Sequence, residues 1–212
     1  MTGRAGCSPA TRWRSRPTGS AASRRRSSEP AVTAPRVILT VGHSAHALEH
    51  LAGLLAAQDV TALADVRRWP RSRRHPHFDD DALAVELAPR GVTYTHVPEL
   101  GGRREPVAGS PNDGFAEAAM RGYADHVATA EFARGLAHLE ALAAGRRTAV
   151  LCAEADWRRC HRRLVADVLA VRGWEVVHVG PGGGTEPHAL TPFAVVSGGL
   201  PVYPAAQLGL GL

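Results

Sequence analysis

The stretch Thr148 to Arg163, TAVLCAEADWRRCHRR, decides how this chain reads. An apolar run, Ala149-Val150-Leu151, ends on Cys152, and Glu154 follows two residues later. A polar turn leads to Cys160-His161-Arg162-Arg163, after which Leu164, Val165, Val168 and Leu169 recur at helical spacing. The pattern predicts a buried strand that carries two thiols, a carboxylate, an imidazole and several guanidiniums to the start of a helix. The helix is expected over about Cys160 to Arg172.

Working outward, the same alternation repeats. Upstream, Val37 to Val41 is an apolar strand ending at Gly42-His43-Ser44, and Leu48, Leu51, Leu54 and Leu55 mark a helix. Ala62 to Val66 is a second strand running into Arg67-Arg68, and Pro70 and Pro76 break the loop Trp69–Phe78. Asp79 is placed to cap a short helix, with Gly91 as its stop. Thr93 to Val97 is a third strand, and Glu99 to Arg104 is the loop after it. Phe115, Ala119, Met120, Tyr123 and Val127 recur as a helix, and Thr129 caps another. Downstream of the opening stretch, Glu175 to Val179 is the last strand.

Strand and helix in alternation predict an α/β fold: three layers, a mainly parallel sheet of about five strands, and helices on both faces. In such sheets ligands bind beyond the carboxyl ends of the strands. The polar residues gather there: Gly42, His43 and Ser44; Asp65, Arg67 and Arg68; Glu99 and Gly101; Cys152 and Glu154; His178. The expected organisation is an extension over 1–35, an α/β domain over 36–182, and a Pro/Gly-rich tail over 183–212.

Composition narrows the classes. At 212 residues and 44% apolar, the chain can bury a core without disulfides. Three cysteines form no ladder, which favours a reducing, cytoplasmic setting. No apolar run reaches the roughly 18 residues that a membrane span needs. The net charge of +5 misleads, because residues 1–35 hold seven arginines against one acid, Glu29. The remainder is close to neutral, so basicity alone argues little for nucleic acid. That segment is too polar to fold, and three accounts of it stand: an inert or misassigned extension, an anion-binding tail, or a transit peptide.

The candidate chemistry can be stated residue by residue, each with its plainer alternative. Cys152 is the first candidate nucleophile; the alternative is a small core residue that ends a strand. Cys160, at a helix start, is either a nucleophile, a resolving partner or a packed residue. His161 is a candidate acid, base or cap, and Glu154 a candidate acid or base, or the ion-pair partner of Arg67 or Arg162. Arg162 and Arg163 are placed to hold an anion at a helix N-terminus, one of them facing solvent instead. Gly42 would let backbone approach a ligand that His43 and Ser44 touch, or Ser44 simply caps the helix. Asp65 reads best as a structural partner of Arg67. Arg71, with Arg73 and Arg74, makes a basic loop that either clamps an anion or is merely solvated. Two sulfurs and an imidazole suit zinc, but neighbouring helix residues point about 100° apart, so no metal and no cofactor are expected.

Several of these pieces, taken in order, resemble the domain-of-unknown-function 488 family of bacterial and archaeal α/β proteins. They are Thr40-Val41-Gly42-His43-Ser44, Ala64-Asp65-Val66-Arg67 with Pro70-Arg71-Ser72, Phe78, Pro98-Glu99-Leu100-Gly101-Gly102, Cys152-Ala153-Glu154 and Cys160-His161-Arg162. The likeness spans about Val37 to Val179 and departs at Trp157, where the family pattern implies proline. It implies fold and site location but no reaction. A looser likeness is to rhodanese and cysteine-phosphatase folds, where a buried strand also ends on cysteine. Glu154 and Asp156 in the following loop argue against a phosphatase cradle.

The functional expectation is an enzyme that binds an anionic or nucleotide-like small molecule and uses a thiol for group transfer or hydrolysis. The alternative is a nucleic-acid-binding module built from the Arg-rich extension and the loop 67–77.

Overall fold

The computed structural model describes residues 36–205. The extension over 1–35, with the accounts offered for it, and the end of the C-terminal stretch lie outside the described residues. The strands are β1 (Val37–Gly42), β2 (Ala62–Asp65), β3 (Thr93–His96), β4 (Thr148–Cys152), β5 (Glu175–Val179) and β6 (Thr185–Pro187), with a separate hairpin of β7 (Val195–Ser197) and β8 (Leu200–Val202). The helices are α1 (Leu48–Ala56), α2 (Asp80–Leu87), α3 (Ala118–Val127), α4 (Ala130–Ala143) and α5 (Arg162–Val171). The main sheet runs β3-β2-β4-β1-β5-β6, its first five strands parallel and β6 antiparallel to β5.

All five residues of β4 are buried, which is why its sequence is a continuous apolar run rather than an alternation. The strand's period of two still sorts them. Ala149 and Leu151 join the cluster containing Leu51 and Leu55 of α1 and Leu83 and Leu87 of α2. Val150 and Cys152 join the cluster containing Tyr123 of α3, Leu136 of α4 and Leu164 of α5. The expected three layers are therefore present: α1 and α2 on one face, α3, α4 and α5 on the other.

This order puts β4 between β1 and β2, whose following helices cover one face, whereas α5 after β4 covers the other. Loops that part in opposite directions open a crevice at the carboxyl end of β4. His43 N–H donates to the Cys152 carbonyl at 3.0 Å and Ser44 N–H to the Ala153 carbonyl at 2.9 Å, pinning the loops at the point of divergence.

Gly42 is required here, though not for the reason its sequence context suggested. A Cβ on it would lie 1.9 Å from the Glu154 carbonyl oxygen, so its bare backbone admits the loop after β4, not a ligand. Gly42→Ala should cost about 3 kcal/mol, the upper end of what overpacking does. Urea unfolding should show it as a lower midpoint with an unchanged slope.

The stretch from 183, anticipated as a tail, packs on the domain as far as the description runs. Tyr203 is fully buried and Thr191 nearly so. Both bind Asp167, a carboxylate in α5 with no exposure, through Thr191 N–H (2.9 Å), Thr191 Oγ1 (2.7 Å) and the Tyr203 hydroxyl (2.9 Å).

Candidate functional site

Cys152 closes β4 on the face that α5 covers, and the chain then turns through Glu154 and Asp156. Asp156 Oδ1 accepts from Arg158 N–H at 3.0 Å and starts a single 3₁₀ turn, Trp157–Arg159. Trp157, the residue that departs from the family pattern, stacks on His178 with ring centroids 3.8 Å apart. Cys160 follows in extended conformation (φ −113°, ψ 147°), and α5 begins only at Arg162. Cys160 and His161 therefore precede the helix. The 100° divergence expected of helical neighbours does not apply, and their side chains converge. His161 Nδ1 lies 3.7 Å from Cys160 Sγ and 3.9 Å from Cys152 Sγ.

The other ring nitrogen fixes the tautomer. His161 Nε2 is 3.1 Å from the Val66 carbonyl oxygen, which can only accept, so Nε2 carries a proton and Nδ1 is the nitrogen turned to the sulfurs. Tyr123 supports the ring from below, its centroid 4.9 Å from that of His161 and its hydroxyl held by the Leu100 carbonyl at 2.6 Å. Gly102 leaves the space above, because a Cβ there would come within 2.7 Å of His161 Nδ1.

Arg162 is 1% exposed, the largest of the fully buried side chains. Its Nε donates to Cys160 Sγ at 3.4 Å, and its Nη2 donates to the carbonyl oxygens of Glu154 and Ala155. It has no carboxylate partner among the described residues. This corrects the expectation that Arg162 holds a ligand: it faces inward. A buried cation needs a counter-charge, and the group within reach is the Cys160 sulfur. The Cys152 thiol, then His161 and Arg162, draw Cys160 well below the ordinary thiol range, outweighing burial. Cys152 moves the opposite way, raised by its neighbour Cys160 and by burial. The geometry thus shifts attention from Cys152, the first candidate in sequence, to Cys160.

Two adjoining cavities meet above these groups. One, about 260 Å³, is lined by Arg67, Arg68, Arg71, Arg103, Cys152 and His161 among others, with no carboxylate. The second, about 490 Å³, reaches Cys152, Cys160 and His161 together, with Glu154 at its wall. Cys152, Ala153, His161 and Arg103 belong to both. Arg103 is held in the left-handed region at φ 58°. Trp69 lies 60% exposed, with the guanidiniums of Arg68 and Arg103 5.1 and 5.7 Å from its ring centre. Sequence reading missed Trp69, Gly102, Arg103 and Tyr123 as site residues. The Gly-Gly-Arg-Arg run at 101–104 was the available signal for two of them, while Tyr123 was hidden in a helical apolar pattern.

The remaining candidates divide. Asp65 is wholly buried and its carboxylate is taken by Arg67, at 2.5 Å to Nη2, and by the Tyr94 hydroxyl at 2.7 Å. It is the structural partner expected, and it faces no ligand. Arg71 lines the smaller cavity but pairs with Asp80 and Asp81 at 3.0 and 3.4 Å. Gly101 clears room for Arg68, whose Cα and Cβ would stand 2.8 Å from an added Cβ. Ser44 does not cap α1, whose N-cap is Ala47; it turns the chain at φ 49°. Glu99 does not line the cavities around the sulfurs: its Cβ packs on α4 at Gly135, and its carbonyl accepts from His126 at 2.7 Å. Glu154 forms no ion pair with Arg67 or Arg162; it offers Arg162 its carbonyl, and its carboxylate accepts from Asp156 N–H at 3.3 Å.

His43 stands behind Arg67 rather than in the cavity. It is 5% exposed, packs on Phe78 with centroids 4.1 Å apart, and lies 3.3 Å from Arg67 Nη1 through Nε2. Burial first, and Arg67 second, hold its pKa down at about 4. A base whose folded pKa is lowered stabilises the fold fully above its unfolded pKa, near 6.5. That contribution fades as pH falls towards about 4. His43→Gln should therefore remove up to ~3 kcal/mol of the acid sensitivity between those limits, read as the difference in unfolding free energy between the two proteins across that range.

A family profile described as domain of unknown function DUF488 matches residues 47–169, more than half of the chain. No curated protein and no solved structure matches it. The matched region contains Cys152, Cys160, His161, Arg162 and the arginine loop, and leaves β1 and His178 outside.

Proposed function

Since the chain belongs to the family described as domain of unknown function DUF488, whose description prescribes no reaction, we propose a function from the site itself: a thiol-dependent enzyme acting on a small anionic molecule. Cys160 is the nucleophile, His161 its proton partner, and the arginine-lined cavity the anchor for the substrate's negative group. The observation that carries this reading is the buried Arg162, with Cys160 sulfur 3.4 Å from Nε and no carboxylate within reach among the described residues. A thiolate there balances the charge, and a thiolate is the form that attacks.

The chemistry follows from the placement. Cys160 supplies an electron pair to an electrophilic centre, and the leaving group departs with a proton relayed from the Cys152 thiol through His161 Nδ1. Water or a second protic acceptor then attacks the group on sulfur, Cys160 leaves as thiolate, and the proton lost by the acceptor returns through His161 Nδ1 to Cys152. Arg68 and Arg103, free of carboxylate partners among the described residues, supply attraction for the anion. At about 260 Å³ the anion arm is smaller than the ~300 Å³ at which drug-sized pockets begin, favouring a small phosphate or carboxylate group over a polymer.

Nucleic-acid binding by the loop 67–77 is the weaker reading. Arg67 and Arg71 of that loop are already neutralised by Asp65, Asp80 and Asp81.

The test is alkylation by iodoacetamide, mapped by mass to each cysteine across pH. Cys160 should react faster than a free thiol at neutral pH, with inorganic phosphate slowing it through the neighbouring arm. Reaction of both cysteines no faster than a free thiol would end the proposal.

A further inference from the structure

We propose that Cys152, Cys160 and His161 also form a binding site for a soft or borderline divalent cation, Zn²⁺ the first candidate, with one coordination position open to the larger cavity. The two sulfurs and Nδ1 lie within 4.8 Å of one another. A tetrahedral zinc with metal–sulfur bonds of about 2.3 Å and metal–nitrogen bonds of about 2.0 Å sets its ligand atoms roughly 3.5–3.8 Å apart. The observed separations from Nδ1, 3.7 Å and 3.9 Å, exceed that spacing by a few tenths of an ångström at most. The third separation, between the two sulfurs, is at most 4.8 Å, so ligation would draw the two sulfurs closer by up to about 1 Å.

The orientation of the imidazole and the access suit a metal, and the donors act against the opposing charge of Arg162 and of the arginines that line the smaller cavity. The Val66 carbonyl holds a proton on His161 Nε2, so Nδ1 is the nitrogen turned to the metal position; this is the outer partner that ligating histidines use. Gly102 keeps the approach to Nδ1 clear. Arg162 Nε donates to one of the two sulfurs, tempering its charge. Thiolate and imidazole are soft or borderline donors, which favour Zn²⁺ over Mg²⁺ or Ca²⁺. Three protein ligands leave a fourth position, and because all three line the 490 Å³ cavity, that position faces solvent rather than core.

Binding displaces one proton, that of the Cys152 thiol, to solvent; nothing is oxidised or reduced. Its consequence rests on the thiolate reading above. Both sulfurs become ligands, their electron pairs are committed to the metal, and the nucleophile is silenced until the ion leaves. The site would thus act as a metal-sensitive stop on the thiol chemistry.

The experiment uses the full chain, reduced and freed of metal by a chelator. Zn²⁺ is titrated in competition with a chromophoric chelator, and Co²⁺ serves as the spectroscopic probe. The expected result is one equivalent of metal and a thiolate-to-cobalt charge-transfer band, which needs no variant to be read. Cys152→Ser, Cys160→Ser and His161→Ala should each lose tight uptake. Absence of the band, or uptake undiminished in all three variants, overturns the inference.

Alkylation separates this proposal from the previous one. Rapid modification of Cys160 in metal-free protein that takes up no zinc defeats the metal site and leaves the nucleophile standing. Zinc uptake by a protein whose metal-free cysteines react as ordinary thiols defeats the nucleophile and leaves the metal site. Stoichiometric Zn²⁺ that blocks alkylation at both cysteines, reversed by chelator, supports the stop.

Discussion

Replacing Arg162 by methionine should slow alkylation of Cys160 near neutral pH by about 10-fold or more and move its pH midpoint upward. The cause is local. A guanidinium 3.4 Å from the sulfur, 1% exposed, lowers the cost of the thiolate. An opposite charge at such range lowers an acid's pKa by roughly 1–3 units, and each unit lost reduces the thiolate fraction tenfold below the midpoint. Methionine keeps most of the volume while removing the charge, the N–H donor to sulfur and the donors to the Glu154 and Ala155 carbonyls. Arg162→Lys should recover part of the rate, since charge persists while the fork geometry does not. A merely structural Arg162 would change stability and leave the pH profile of Cys160 where it was. The sign for stability follows. Cys160 is depressed in the folded state. Its contribution is therefore complete above the unfolded thiol value, near 8.5, and is lost as pH falls through the lower folded value.

The second large effect is on the fold. Asp65→Asn should cost about 3–5 kcal/mol, because it leaves Arg67 as a nearly buried charge without its partner. Asp65 receives Arg67 Nε at 2.9 Å, Arg67 Nη2 at 2.5 Å and the Tyr94 hydroxyl at 2.7 Å, and it has no exposed surface. Asparagine fits the space but offers one acceptor and one unwanted donor. For a domain of this size the loss corresponds to a melting temperature lower by roughly 10 °C. Calorimetry should show it. Loss of stability below 1 kcal/mol would mean that water reaches Arg67 and that the pair is a surface feature.

These two arginines show what could be read from the chain and what could not. The strands were legible because burial on both faces leaves an unbroken apolar run, as in Thr148 to Cys152. The convergence of loops at the carboxyl end of β4 was legible for the same reason: polar residues appear only where the sheet ends. Direction was not legible. Arg162 and Arg163 are neighbours of one type, and only the start of α5 at Arg162 turns the first inward and leaves the second partly exposed. The adjacency of Cys160 and His161 argued against a shared ligand as long as both were placed on the helix. The 3₁₀ turn at Trp157 delays the helix by two residues and reverses that conclusion. Glu99 looked like a site residue by its position after β3, yet Gly135 draws it onto α4. Asp167 gave no signal, since its partners Thr191, His188 and Tyr203 come from a stretch with no regular pattern.

The central claim is that the folded chain holds a thiolate at Cys160, stabilised by the Cys152 thiol, His161 and Arg162. It is tested most directly by ultraviolet thiolate absorbance during a pH titration of the metal-free, reduced protein. The account predicts one thiolate already formed below pH ~7, in the range of activated cysteines, retained in Cys152→Ser and absent in Cys160→Ser. Titration of every thiol only near pH ~8.5, the value of a free cysteine, would contradict it.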